Sequence, residues 1–140
     1  KNVAWEKNIA PGIVFGDLDL LCSLFGNLID NGAKACGRKN YGEAGGQGRI
    51  LFTGRQEKNG YSFSVEDNGC GIPADEVGKI TEAFYMVDKS RARKEGGAGI
   101  GMTLCNRIIK LHHARWKIDS AEGEGTKVYI FFPEEEEEDD

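Results

Sequence analysis

The sequence predicts an α+β fold, a two-layer sandwich in which a mixed, mostly antiparallel sheet carries helices on one face. Three observations point there. Runs with a two-residue apolar period alternate with runs of helical period, in the order strand, helix, hairpin, loop, helix, hairpin. Turn-forming residues, Pro11-Gly12, Asn59-Gly60 and Gly123-Glu124-Gly125, fall between those runs. A length of 140 residues suits one core and is short for two.

The first element, "NVAWEKNI", alternates around Val3 and Trp5 and reads as a strand closed by Pro11-Gly12. Asp17 then stands in the N-cap position ahead of Leu18, Leu21, Leu24, Phe25, Leu28 and Ile29, which predicts a long amphipathic helix to about Gly37. The glycine-rich "GRKNYGEAGGQG" reads as a loop. "RILFTGRQEK" and "YSFSVED" alternate on either side of Asn59-Gly60 and predict a hairpin. "NGCGIPADEVGKITEAF" holds glycines and a proline, and is expected to be a loop with one or two short helical turns; "VDKSRARKEGG" is polar, basic and loop-like. Ile100, Leu104, Ile108 and Leu111 recur at helical spacing and place a second helix from near Ala98. "RWKIDS" and "TKVYIFF" close the chain as two strands.

The net charge of -5 arises from the end of the chain, where "EEEEEDD" carries seven negative charges. With those set aside, 18 basic residues face 16 acidic ones, a balance of +2, which gives no electrostatic ground for nucleic-acid binding. Residues 1–133 are therefore expected to form the folded domain, and 134–140 an acidic, disordered tail. Cys22, Cys36, Cys70 and Cys105 show no C-x-x-C pairing and no histidine at ligand spacing, so reduced, partly buried thiols are expected rather than zinc or disulfides. No apolar run is long enough to span a bilayer, and no signal-like start appears, so no direct membrane contact is expected. The chain opens on Lys1 rather than methionine, which suggests a piece of a longer protein.

Three stretches carry the candidate chemistry. In "GNLIDNGAKAC", Asn27, Asn31 and Lys34 gather on one narrow wedge of the predicted helix beside its apolar face. Amide oxygens suit Mg²⁺ and an ammonium suits a phosphate oxygen, although an ordinary solvated face accounts for the wedge equally well. Gly32, which costs roughly 1 kcal/mol in a helix, favours close approach by another backbone or a ligand. In "YSFSVEDNGCGIP", Asp67 shares strand parity with Phe63 and Val65, so an inward-facing carboxylate is expected, beside Gly69 and Gly71 that would let a flat ligand come near. Burying such a group alone costs several kcal/mol, so it is paired or functional; a strand-end aspartate capping its own turn is the plainer reading. In "GGAGIGM", Gly97, Gly99 and Gly101 leave backbone N–H groups open at a helix start, where phosphates bind. The dinucleotide-fold alternative fails because "DKSRARKE", not a strand, precedes these glycines.

Together the stretches resemble the four boxes of the catalytic and ATP-binding domain of sensor histidine kinases, within the GHKL superfamily and its Bergerat fold. "NLIDNGAKAC" resembles the N box, "EDNGCGIP" the first glycine box, "EAFYMVDKSR" the F box and "GGAGIGM" the second glycine box. The resemblance implies that Asn31 coordinates Mg²⁺, with Asn27 and Lys34 near the triphosphate of ATP. It implies that Asp67 accepts from the adenine amino group, supported through water by Gly69 and Gly71. It puts a mobile lid between Phe84 and Gly97, in which Lys89 and Arg91 reach the γ-phosphate, and amides around Gly99 and Gly101 at the phosphates. Ile72, Tyr85, Ile100, Met102 and Thr126 complete the implied nucleotide site.

The chain departs from the family pattern at Gly32, usually alanine, at Ile100 and Met102, usually leucines, and at Met86, often an arginine. Asn27 stands where hydrolysing relatives place a water-activating glutamate, which favours a kinase over a vigorous ATPase. His112 and His113 end the second helix and are expected to have a structural role rather than to accept phosphate. The function implied is transfer of the ATP γ-phosphoryl group to a histidine on a separate dimerisation domain, which then phosphorylates a response regulator receiver domain. A cytoplasmic location follows, with the parent protein open to membrane anchoring. The alternatives are an anti-sigma-type serine kinase and a non-catalytic nucleotide-sensing module.

Overall fold

The computed structural model describes residues 3–42, 46–73 and 98–134. Among these residues five strands and two helices follow in the predicted order: β1 (Val3–Ile9), α1 (Leu18–Arg38), β2 (Gly48–Glu57), β3 (Gly60–Asp67), α2 (Ala98–Leu111), β4 (Arg115–Ala121) and β5 (Gly125–Pro133). The sheet order is β1-β2-β3-β5-β4. Only the β1–β2 pair is parallel, because α1 intervenes as a crossover; the other three pairings are antiparallel. No helix among the described residues is long and apolar enough to cross a membrane.

Helix α1 begins where its cap predicts. The Asp17 carboxylate accepts from the Leu20 N–H at 3.0 Å, and the Asp17 carbonyl accepts from Leu21 at 2.9 Å. Its buried stripe is Leu24, Leu28, Gly32 and Cys36, each four residues on from the last. Gly32 and Cys36 thus extend into the core a stripe that the leucines start. Phe25 sits beside it, 5.2 Å from the Phe52 ring and 4.7 Å from Phe63.

The inner sheet face carries Ile50, Val65, Ile118, Val128, Ile130 and Phe132, packed on Leu24, Leu28, Cys105, Ile108 and Ile109 from the helices. Ser64, Glu66, Lys127 and Tyr129 point to the opposite face, where the Ser64 hydroxyl meets that of Thr53. One face of the sheet is covered by the described helices, as expected for a two-layer sandwich. Cys22, Cys36, Cys70 and Cys105 are all free thiols, and burial pushes Cys105 up to about 12.

One turn is displaced from its expected place. Lys58 and Asn59 form the β2–β3 turn, and Gly60 is already the first ladder residue of β3, paired with Glu57. Gly60 is held in the ladder on both sides, opposite Glu57 and Pro133, at a place where a Cβ would lie 2.0 Å from the Phe132 carbonyl oxygen. The loop expected over residues 74–97, including the lid, lies outside the described residues, as do positions 135–140 of the acidic tail. Glu134 donates its N–H to the Asn59 carbonyl at 2.7 Å and so follows β5 directly.

Candidate functional site

The site is built where β3, the central strand, ends against α1. Asp67 is the last residue of β3 and pairs with Ile50 on one side and Thr126 on the other. Its parity with the buried Tyr61 and Val65 turns the carboxylate inward, as the alternation predicts. Burial pushes its pKa from 3.8 up to about 6, while backbone N–H groups of Gly69 and Thr126 pull the other way. The Gly69 N–H donates to Oδ1 at 2.8 Å. That bond is the turn cap of the plainer reading, and it engages one of the two carboxylate oxygens.

Gly32 of α1 faces this carboxylate. A Cβ on Gly32 would stand 3.4 Å from the Asp67 Cβ and 3.5 Å from Oδ2. The close approach anticipated for Gly32 is therefore made by the Asp67 side chain.

The loop after Asp67 is clamped by protein rather than left open. A Cβ on Gly69 would lie 2.6 Å from the Ala35 carbonyl carbon and 2.7 Å from the Cys36 nitrogen. Gly71 has φ +72 and passes the Ala121 carbonyl oxygen, which a Cβ would meet at 2.2 Å. Both glycines are demanded by packing on α1 and on the β4–β5 turn, a requirement separate from the flat ligand expected beside them. Backbone bonds fix the same path: Cys70 N–H to Ala35 O at 3.2 Å and Gly123 N–H to Cys70 O at 2.7 Å. Ile72 N–H donates to the Ser120 hydroxyl at 2.8 Å, and that hydroxyl lies 2.8 Å from the Thr126 hydroxyl. Ile72 and Thr126 are thereby linked through Ser120 of β4, and Thr126 is the β5 residue paired with Asp67.

Asn68 does structural work that the sequence reading missed. Its Oδ1 accepts from Arg49 N–H at 2.7 Å and from the Tyr41 hydroxyl at 3.1 Å, and its Nδ2 donates to Gln47 O at 2.9 Å. The Tyr41 hydroxyl also lies 2.8 Å from the Asn68 carbonyl oxygen, and burial raises its pKa. The signal was present in Asp-Asn-Gly, where an asparagine next to a strand end commonly bonds backbone.

On α1, Asn27, Asn31 and Lys34 are half-buried and follow one another at helical spacing along one side. Asn27 Nδ2 donates to the Ser23 carbonyl at 2.7 Å, which directs its amide oxygen away from that bond. Lys34 Nζ lies 3.1 Å from Asp30 Oδ2, an i,i+4 pair that the spacing shows and the sequence reading did not use. An exposed pair of that kind is worth roughly 0.3–0.5 kcal/mol, so the ammonium exchanges readily to a stronger anion.

The second helix starts at Ala98, so Gly99, Ile100, Gly101 and Met102 lie in its first two turns, where the leading N–H groups lack intrahelical partners. Tyr85, Lys89, Arg91 and Gly97, together with Met86, lie outside the described residues. His112 is engaged at both ring nitrogens, Nδ1 with the Ile108 carbonyl at 2.7 Å and Nε2 with the Asp17 N–H at 3.0 Å. His113 ends α2 with φ 55. Both histidines serve the helix end, as expected.

The residues present suit a nucleotide with a divalent cation. A mostly buried carboxylate matches an amine donor, and neutral amide oxygens one turn apart match a hard cation. Fold and site together define an α+β sandwich of nucleotide-binding type. The chain belongs to the family of histidine kinase-, DNA gyrase B- and HSP90-like ATPases, whose model matches residues 16–136.

Its relatives narrow the comparison. It is 37% identical over 143 residues to the sensor protein kinase WalK of Staphylococcus aureus strain JH9, covering 99% of this chain and 22% of that protein. The WalK of Staphylococcus epidermidis RP62A is 34% identical over 137 residues, with 95% and 21% covered. The chain thus spans about a fifth of these relatives' length. Among solved structures, a mycobacterial sensor histidine kinase, MprB, superposes with a TM-score of 0.69 at 25% identity, covering 94% of this chain and 81% of that one. The expected fold and the family are both borne out.

Proposed function

We propose that this chain binds ATP·Mg²⁺ and is the catalytic domain of a sensor histidine kinase, donating the γ-phosphoryl group to a histidine on a separate dimerisation domain. The observation that carries the reading is Asp67, a half-buried acceptor at the end of the central strand whose Oδ1 accepts from the Gly69 N–H. In this reading Asp67 accepts from the adenine amino group and so selects the base. Gly69, Gly71, Ile72 and Thr126 hold that acceptor in place through the packing and hydrogen bonds around it.

Asn31 would hold Mg²⁺, with Asn27 beside it. Bound Mg²⁺ supplies charge neutralisation on the phosphates. Lys34, released from Asp30, orients the phosphate chain, and N–H groups at Gly99 and Gly101 receive phosphate oxygens. Ile100 and Met102 lie on the same turns, and Tyr85, Lys89, Arg91 and Gly97 would close the site from the preceding segment. Catalysis is then chiefly positioning, and Asn27 offers no base for water. The structure of full-length ShkA, 22% identical with a TM-score of 0.67 over 94% of this chain and 26% of that one, was solved with AMPPNP. That supports an ATP site in the shared fold. The partners are the dimerisation domain and a receiver domain, and the reaction takes place on the cytoplasmic side, where ATP is supplied.

Calorimetric titration of ATP and ADP with Mg²⁺, on the native chain and on Asp67→Asn, tests the site. Binding lost in the variant supports it, and absence of binding to the native chain overturns it. Incubation with a histidine-bearing dimerisation domain tests the reaction: acid-labile, base-stable phosphate on that domain supports histidine transfer, and the reverse stability favours a serine kinase.

A further inference from the structure

We propose that a cleft at the end of the sheet remote from Asp67 docks a basic amphipathic helix of a partner protein. Strand β3 separates the two ends: Asp67 closes one and Gly60, paired with Pro133, opens the other, roughly 25 Å away for eight residues. At the Gly60 end the start of α1, the end of α2 and the residue after β5 enclose a cavity of about 660 Å³. Its walls are Phe15, Leu20 and Leu111, and its polar groups are Asp17, His112 and Glu134.

The cleft is preformed. His112 ties the two helices, accepting the Asp17 N–H on Nε2 while Nδ1 meets Ile108 O, and the Asp17 carboxylate caps Leu20. In the loop ahead of α1 and at the helix ends beside this joint lie the most exposed large apolar groups of the described residues: Ile13 is 72% exposed, Phe15 67%, Leu18 74% and Leu111 64%. Such grouping marks an interaction surface rather than scattered apolar residues. The patch spans two helices and the loop ahead of α1, which suits the long apolar face of a helix lying across them, anchored at i, i+3 or i+4, and i+7.

Charge selects the occupant. The lining contains two carboxylates and an imidazole, and neither lysine nor arginine. Asp19 follows Asp17 on the first turn of α1, and every residue from Glu134 to Asp140 is acidic. A second copy of this chain would set acid against acid, and an anionic bilayer would be repelled. A helix with lysines or arginines flanking its apolar stripe complements both features.

The test uses the isotope-labelled chain and two synthetic helical peptides with one leucine stripe, flanked by lysines in the first and by glutamates in the second. The lysine peptide is expected to shift the amides of Phe15, Gly16, Leu111 and His112, and to bind at least about tenfold tighter than the glutamate peptide at low salt. Phe15→Ser with Leu111→Ser should abolish those shifts while the far-ultraviolet spectrum stays native, since both side chains are mostly exposed. Asp19→Lys with Glu134→Lys should reverse the preference between peptides. Shifts absent from this end, equal binding of the two peptides, or self-association of the chain through the cleft would overturn the proposal.

Discussion

Gly32 on α1 and Asp67 on β3 meet face to face, with the position of the missing Cβ 3.4 Å from the Asp67 Cβ and 3.5 Å from its Oδ2. This contact sets the depth at which the carboxylate lies beneath the helix, and hence both its burial and its raised pKa.

That pKa has a signed consequence for stability. Asp67 takes up its proton at about pH 6 in the fold, against 3.8 for the unperturbed group, so the folded chain holds more protons between those values. Its contribution is therefore most favourable below about pH 4, declines as pH rises towards 6, and levels off above, a loss on the order of 3 kcal/mol. Asp67→Asn, which carries no charge to bury, is expected to unfold at higher urea than the native chain at pH 7.5, with the difference shrinking at pH 4.

Nucleotide affinity should run the opposite way. Only the ionised carboxylate offers both oxygens as acceptors, so affinity is expected to fall by about tenfold per pH unit below 6. Titration at pH 8 and pH 5 reads this directly, and equal affinities would remove Asp67 from the base-binding role.

Gly32→Ala is expected to stabilise the chain by about 1 kcal/mol, because the helix gains propensity and 3.4 Å is an ordinary carbon contact. Urea denaturation measures it. The two glycines after Asp67 behave differently. Gly69→Ala drives a methyl into the backbone of Ala35 and Cys36, and Gly71→Ala adds a left-handed φ to a clash with Ala121. Each is expected to cost several kcal/mol, read as a large drop in melting temperature.

Asp30→Asn and Lys34→Ala separate fold from site. Removing either partner of an exposed i,i+4 pair should change stability by no more than about 0.5 kcal/mol. Lys34→Ala is expected to weaken ATP more than adenosine, since in the proposed site the ammonium meets phosphate and not base. Equal losses for the two ligands would place Lys34 elsewhere.

The sequence disclosed the order of elements because period and turn residues agree along the described chain, and the Asp17 cap fixed the start of α1 to the residue. Asp67 was legible through strand parity alone. Gly69 and Gly71 were legible as glycines but not in their purpose, since the backbone of Ala35 that Gly69 touches is 34 positions away in the chain. The shifted β2–β3 turn is likewise a long-range matter: Asn59-Gly60 is a good local turn, but Gly60 pairs with Pro133 of β5 as well as with Glu57 and so belongs to the ladder. Tyr41, Asn68 and Ser120 were missed because long-range hydrogen bonds leave no periodic trace.

The strand order β1-β2-β3-β5-β4 puts β3 in the middle of the sheet, with a ladder on each side. Segments held on both sides open last, so amide hydrogens along β3 up to Asp67 should exchange with solvent only when the whole domain unfolds, while those of β1 and β4 exchange by local fraying. The carboxylate proposed to read the base is thereby mounted on a strand held from both sides, and its aim is insulated from the fluctuations of the sheet edges.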